Sequence, residues 1–139
     1  MVHLVNESDL SAKSHFQIKS YSHEIEPKDL IGWTFDRYRL SYEISRSNQQ
    51  NNLYPQFRFV SAESENQRMG LLMVEQTEYS FTIHSIFVLK AWRRKGIATA
   101  ILKTFIHQQS EQNNKLPMDA NFVEESGNRH VIRLSLIHI

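Results

Sequence analysis

The sequence predicts a mixed α/β (α+β) domain, and three observations carry that expectation. Two stretches repeat apolar residues with the period of a helix, and five others read as strands. One of those strands, Ser80–Val88, has apolar residues on both faces, as a central strand covered from two sides does. The elements come in the order strand, helix, three strands, helix, strand.

The first strand is expected at Phe16–Tyr21, where apolar and polar residues loosely alternate. Pro27 suits the first turn of a helix, where its missing N–H costs nothing. Ile31, Phe35, Tyr38 and Tyr42 follow at helical spacing, which predicts a helix over Pro27–Ser45 with these side chains packed in the core. Ser45–Asn52, SRSNQQNN, is polar and reads as a loop. Phe57–Ala62 and Gly70–Glu75 read as a hairpin joined by the polar turn Ser64–Arg68. On Ser80–Val88, simple alternation puts Thr82, His84, Ile86 and Val88 on one face and Ile83, Ser85 and Phe87 on the other. Ile97, Ile101 and Phe105, with Ala98, Leu102 and Ile106, form a wide apolar stripe that predicts a helix over Gly96–Gln109. Lys115–Val123 reads as the fifth strand.

Length and composition bound what such a domain can do. Residues 1–139 fit one domain, with 40% hydrophobic, 22% charged and 11% aromatic residues, enough for a core. A net charge of +1 gives no global field to recruit nucleic acid or a membrane. The absence of cysteine excludes disulfides, thiolate nucleophiles and cysteine zinc sites. The seven histidines show no HxH, HExxH or carboxylate spacing, so no metal is expected. No apolar run is long enough to cross a bilayer, and MVHLVNESDL lacks the pattern of a signal peptide. A cytoplasmic protein is the expectation.

The chemistry concentrates in IHSIFVLKAWRRKGIATAIL, Ile83–Leu102. An apolar strand ends at Val88, and Arg93, Arg94, Lys95, Gly96 and Ala98 precede or open a helix. Small residues let a ligand approach the backbone. The first N–H groups of a helix lack internal acceptors and, with the helix dipole, favour an anion. Three cations stand at the same place. Either this is a phosphate or pyrophosphate site, or Arg93–Lys95 is a solvated basic turn and Gly96 a helix breaker. There is no GxxxxGK[ST] and no GxGxxG after a first strand, which excludes a P-loop and a dinucleotide-binding fingerprint.

Arg93, Gly96 and Ala98 resemble the Arg/Gln-x-x-Gly-x-Gly/Ala motif of the GNAT superfamily of N-acetyltransferases, and Val88 matches the apolar residue five before its Arg. FRFVSAESENQRMGLLMVEQ resembles the family's second and third strands, with Gly70 where many members open the third. The resemblance covers about Phe16–Leu134. It implies a mixed, mostly antiparallel sheet flanked by helices, and acetyl-CoA as co-substrate. The coenzyme's pyrophosphate would rest on the motif, here Arg93, Arg94, Lys95, Gly96, Ile97, Ala98 and Thr99. Its pantetheine arm would run along the fourth family strand, here Phe87, Val88 and Leu89. Acetyl would pass directly to an amine, aided by a general base.

The base is less marked. Some members carry a Glu six before the conserved Val; that position is Thr82 here, which cannot serve. His84 is either the base or a core histidine bonded to a neighbour, and Glu75, Glu78 or a water chain are alternatives. Val123–Leu134 resembles the start of the family's following helix. Its Asn128 would help hold the coenzyme, or cap a turn after Gly127. Beyond Leu134 the chain reads SLIHI, without the Tyr that protonates the leaving thiolate in many members or the family's last two strands. An incomplete C-terminal end is therefore expected; were the chain complete, its exposed edges would invite a homodimer or aggregation.

Two rivals remain at this stage. One is a non-catalytic module that senses acyl-CoA, favoured by the missing Tyr and Glu. The other is a nucleic-acid or protein-interaction domain using the Arg-Arg-Lys turn, which has no aromatic platform beside it except Trp92. The acceptor, small molecule or peptide, is not legible; Pro27–Asn52 would shape its choice.

Overall fold

The computed structural model describes the backbone of residues 2–4, 16–112, 116–123 and 129–134, and the side chains of 16–112 and 116–119. Among these, seven strands form one sheet in chain order: β1 (Val2–Leu4), β2 (Gln17–Tyr21), β3 (Gln56–Ser64), β4 (Gln67–Gln76), β5 (Phe81–Val88), β6 (Met118–Val123) and β7 (Arg129–Leu134). Every neighbouring pair is antiparallel except β5 and β6, which the helix α2 (Ile97–Glu111) connects as a parallel crossover. The other helix, α1 (Asp36–Gln49), lies between β2 and β3 in the chain. The expected order of elements is present, with β1 and β7 added at its ends.

Each helix covers one face. Ile97, Ile101, Phe105 and Ile106 of α2 pack with Ile18, Val60, Leu72, Val74, Phe81 and Ile83. On the opposite face Tyr38 and Tyr42 of α1 pack with Leu30, Phe57, Phe59, Leu71 and Met73. Burying each of the larger side chains contributes about 1.5–3 kcal/mol. Gly70 of β4 sits where α2 crosses the sheet. A Cβ there would lie 3.0 Å from Ile101 Cδ1 and 3.1 Å from Ile97 Cγ2, so the missing side chain lets the helix start approach the strand.

Four expectations need correction. The helix expected over Pro27–Ser45 is split: Pro27–Leu30 is a 3-10 turn, and α1 starts only at Asp36. Gly32, at φ +83°, turns the chain between them. Tyr38 and Tyr42 are core residues as expected, but Ile31 and Phe35 are exposed.

The polar stretch Ser45–Asn52 is mostly helix rather than loop. Arg and Gln are good helix formers. Ser45 is buried, its hydroxyl donating to the Pro55 carbonyl. The helix closes with Asn52 left-handed at φ 58°, its N–H on Gln49 O and the Leu53 N–H on Asn48 O, a Schellman-type stop.

Arg129–Leu134 is strand β7, paired along β6 from Met118↔Leu134 to Val123↔Arg129, not the start of a helix. His-Val-Ile puts two β-branched residues together, which favours extended backbone. Asn128 lies outside the described residues.

The fourth correction concerns the faces of β5. Met73 pairs with Ser85 but Val74 with Ile83, so His84 is an extra residue in a β-bulge. Ile83, Ile86 and Val88 therefore face α2. His84, Ser85 and Phe87 face the α1 side, where they meet Tyr38, the Trp33 carbonyl and the Trp33 ring respectively. The hairpin turn, by contrast, falls within Ser64–Arg68 as expected: Glu65 and Asn66 have φ 49° and 64°, the two positive values of a type I′ turn.

Candidate active site

Three features of the site lie along β5 and the loop that follows it. The first is the start of α2. After β5 the chain makes a 3-10 turn, Lys90–Trp92, and then extends at Arg93. Arg94 and Gly96 both adopt left-handed backbone, at φ 64° and 78°. Gly96 takes this conformation without the steric cost an L side chain meets, and its carbonyl accepts the first helical hydrogen bond, from Ala100 N–H at 2.9 Å. No side chain caps this end. The N–H groups of Ile97, Ala98 and Thr99 precede the first intrahelical donor, so they are free to meet a ligand.

They line a pocket of about 220 Å³ together with Val88, Trp92, Arg93, Arg94 and Gly96. Of the seven residues Arg93–Thr99 expected at the pyrophosphate, all but Lys95 line this cavity, and Val88 of the expected pantetheine strand joins them, while Phe87 and Leu89 do not. Lys95 instead holds its ammonium 5.1 Å from the centre of the Trp92 ring, at the same turn. Positive charge, unsatisfied amides and the positive end of the helix dipole act in the same sense here: this pocket attracts an anion.

The second feature is the edge of β5. β6 pairs with it only at Phe81, Thr82 and Ile83, while Asn121–Val123 pair with β7 alone among the described residues. The two parallel strands diverge beyond Ile83, and the rest of β5 has an open edge on that side. The Leu89 N–H bonds to Met69 O at 2.9 Å, towards β4. By alternation, Phe87 also points its backbone groups to β4, while Ile86 and Val88 point theirs to the open edge. Of the three residues Phe87–Leu89, Val88 is therefore the one that offers polar backbone there. Its carbonyl already accepts Arg93 Nε–H at 2.9 Å, and the Arg93 guanidinium lies 5.4 Å from the Phe87 ring centre, so Arg93 ties the loop to the strand edge.

The third feature lies on the α1 face. His84 Nε2 is 2.8 Å from Glu75 Oε1 across the β4–β5 pair. The bulge makes this contact by turning His84 toward the face that Glu75 already occupies. Tyr38 stacks over the imidazole at 4.6 Å between ring centres, and Phe57 approaches it at 5.7 Å. His84 Nδ1 is buried without a hydrogen-bond partner among the described residues. A proton there would have nothing to bond to, so the geometry favours the tautomer with its proton on Nε2, donated to the Glu75 carboxylate. The His84 side chain is 11% exposed and the Glu75 side chain 25%. Glu75 is the better presented of the two. Glu78 is exposed in the β4–β5 turn and makes no contact with this pair, and Thr82 pairs with Glu75 and Asp119 in the ladder.

Sequence reasoning missed Trp33 and Tyr38 as walls of this site. Trp33 packs edge-on against Phe87 at 5.5 Å, under the Arg68 guanidinium. Tyr38 was visible as a stripe residue, but only the bulge reveals which ring it meets.

The family model for the acetyltransferase (GNAT) domain matches residues 33–126, which include the α2 loop, the open edge and the Glu75–His84 pair. The chain belongs to the GNAT acetyltransferases. Acetyl transfer is the reaction of that family. Comparison with curated proteins finds no match. Among solved structures, the chain is similar to an IAA acetyltransferase from Bacillus cereus, at 16% identity and a TM-score of 0.56 over 78% of this chain and 67% of that one. It is similar to a GNAT family acetyltransferase from Elizabethkingia anophelis with acetyl-CoA bound, at 17% identity and a TM-score of 0.54 over 78% and 67%. A third, the ribosomal-protein-S18-alanine N-acetyltransferase from Escherichia coli, matches at 13% identity and a TM-score of 0.51 over 78% and 68%. At these identities the likeness establishes a shared fold. Among the described residues no group of three His, Asp or Glu could hold a metal, and no helix is long and apolar enough to cross a membrane.

Proposed function

We propose that this chain, read as a single domain over residues 1–139, is an N-acetyltransferase that moves acetyl from acetyl-CoA to an amine by direct attack. The observation that carries the proposal is the pocket at the start of α2, where free amides and Arg93 and Arg94 surround space for a pyrophosphate. From there the pantetheine arm follows the open edge of β5, bonding to Val88 and Ile86. That path leads toward the divergence of β5 and β6 at Ile83, next to the bulged His84.

The amine nitrogen attacks the thioester carbonyl, the tetrahedral intermediate collapses with cleavage of the C–S bond, and the coenzyme leaves as the thiol. The departing thiolate takes up a proton to leave as the thiol, and the neutral amine loses one in the process. Glu75 is suited to take it, because its carboxylate is the more exposed member of the pair, and His84 holds it in place from below. This changes the role of His84 from base to positioning residue. The acceptor binds on the α1 face beside Trp33, Tyr38 and Phe87.

Release of coenzyme A thiol from acetyl-CoA, followed with a panel of small amines, amino acids and N-terminal peptides, tests this reading. Amine-dependent thiol release is expected. Tight acetyl-CoA binding with no release for any amine would instead identify an acyl-CoA sensor.

A further inference from the structure

At the opposite end of α2 from the coenzyme loop, a second pocket of about 180 Å³ opens between β2, β3 and the last turns of the helix. Its polar lining is unusual for its place. Gln108 and Gln109 continue the face of α2 that Ile101 and Phe105 bury, and they are only 8% and 3% exposed. Gln108 Oε1 accepts the Ser20 hydroxyl at 3.0 Å. Gln108 Nε2 and Gln109 Oε1, however, are buried with no hydrogen-bond partner among the described residues. An unmatched buried amide group is costly, and here two of opposite kind, a donor and an acceptor, sit beneath the surface of side chains that line one cavity.

Arg58 enters the same pocket from β3. Its Nε donates to Gln76 Oε1 at 2.7 Å, and no carboxylate pairs with its guanidinium among the described residues. Burial holds its pKa below the usual arginine range, the mark of a cation short of a counter-charge. Glu24, the acid of the lining, turns its carboxylate onto the backbone N–H groups of Ser22 and His23 at 2.8 and 3.0 Å. Burial raises the pKa of Glu24, but those two donors bring it below the ordinary value, so its charge is already held.

We propose that this pocket binds a small carboxylate-bearing molecule, its carboxylate held by Arg58, with the Gln108 and Gln109 side chains turning their unmatched amide groups from the buried position into the cavity to meet it. The volume is that of about six waters, which suits a two- to four-carbon hydroxy acid. The site shares no lining residue with the coenzyme pocket or the Glu75–His84 pair.

Glycolate is the probe, with sodium chloride at matched ionic strength as the control for general salt effects. The full chain should show a saturable rise in Tm of about 4 °C at ten times the dissociation constant, absent with chloride. In a nitrogen–proton NMR titration the side-chain amide of Gln108 should shift along the same saturation curve. Arg58→Met and Gln108→Leu, each checked for a cooperative transition of its own, should lose the rise. No saturable response by either method in the wild-type chain, or a rise that survives in both variants, would overturn the proposal.

Discussion

The two sides of the proposed catalytic cleft are built in different ways. The coenzyme side is local: Arg93, Arg94, Gly96, Ile97, Ala98 and Thr99 are neighbours in the chain, and the chemistry they present comes from backbone conformation at one turn. The acceptor side is assembled from distance: Tyr38 from α1, Glu75 from β4 and His84 from β5 meet only because a bulge rotates His84 onto the α1 face. A site made of consecutive amides survives changes of side chain and leaves a short signature. A site made of side chains on three elements depends on register, and a slip of one residue moves its members to the other face of the sheet.

The comparison can be broken most sharply at Glu75. Glu75→Gln should keep the hydrogen bond to His84 but remove the proton acceptor. A fall in kcat of about 10²–10⁴ is expected, with affinity for acetyl-CoA unchanged. Stopped-time assays over a pH series, alongside acetyl-CoA titrations, would check this. A fall below tenfold would mean that the pair is structural and the proton leaves by another route.

Gly70→Val tests whether the local side depends on the sheet beneath it. The new side chain would press on Ile101 and Ile97 at the start of α2, and a loss of about 1–3 kcal/mol in urea unfolding is expected. Because Ile97 also lines the coenzyme pocket, weaker acetyl-CoA binding should accompany that loss. Unchanged affinity in a destabilised protein would show that the loop holds its shape without help from β4.

Tyr42 sharpens the comparison on the α1 side. Its hydroxyl donates to the Ile25 carbonyl, and burial pushes its pKa up to about 12. Tyr42→Phe leaves that carbonyl unmet and should cost about 1–3 kcal/mol at neutral pH. The folded pKa is raised above the unfolded value, so this contribution is full below about pH 10, the ordinary tyrosine value, and fades as pH climbs toward 12. Denaturant titrations of both proteins at pH 8 and pH 11 should show the gap narrowing. The smallest effect belongs to Glu26, whose carboxyl the Arg46 guanidinium holds below its usual pKa at the surface. Glu26→Gln should lower Tm only slightly at neutral pH. The difference should vanish in high salt, and also as pH falls through the depressed pKa of Glu26.

How much of this was legible in the sequence follows the same division. The α2 loop could be read because a strand end, three cations, Gly96 and an amphipathic helix succeed one another without interruption. The hairpin turn was legible for the same reason. Helix α1 was misplaced because the stripe from Ile31 to Tyr42 has helical spacing, yet Gly32 turns the chain in its middle. Its polar end was taken for a loop because Ser45 shows its buried bond to Pro55 only in three dimensions. The faces of β5 were misassigned because strict alternation carries no mark of a bulge, and that one extra residue decides whether His84 meets Glu75. The second pocket left no signal either: Gln108 and Gln109 read as the polar end of a helix until the fold buries them.

Calorimetric titration of acetyl-CoA into the wild-type chain and Ala98→Asp decides whether the start of α2 holds the coenzyme's pyrophosphate. An aspartate in the first turn of a helix favours the helix by about 0.3–1 kcal/mol, so the variant should fold at least as well as the parent. Its carboxylate would also stand in the pocket with the pyrophosphate. We predict binding to the wild type and a loss of tenfold or more in the variant, with its unliganded Tm unchanged or raised. Equal affinity in the two proteins would contradict the account and move the coenzyme away from this loop.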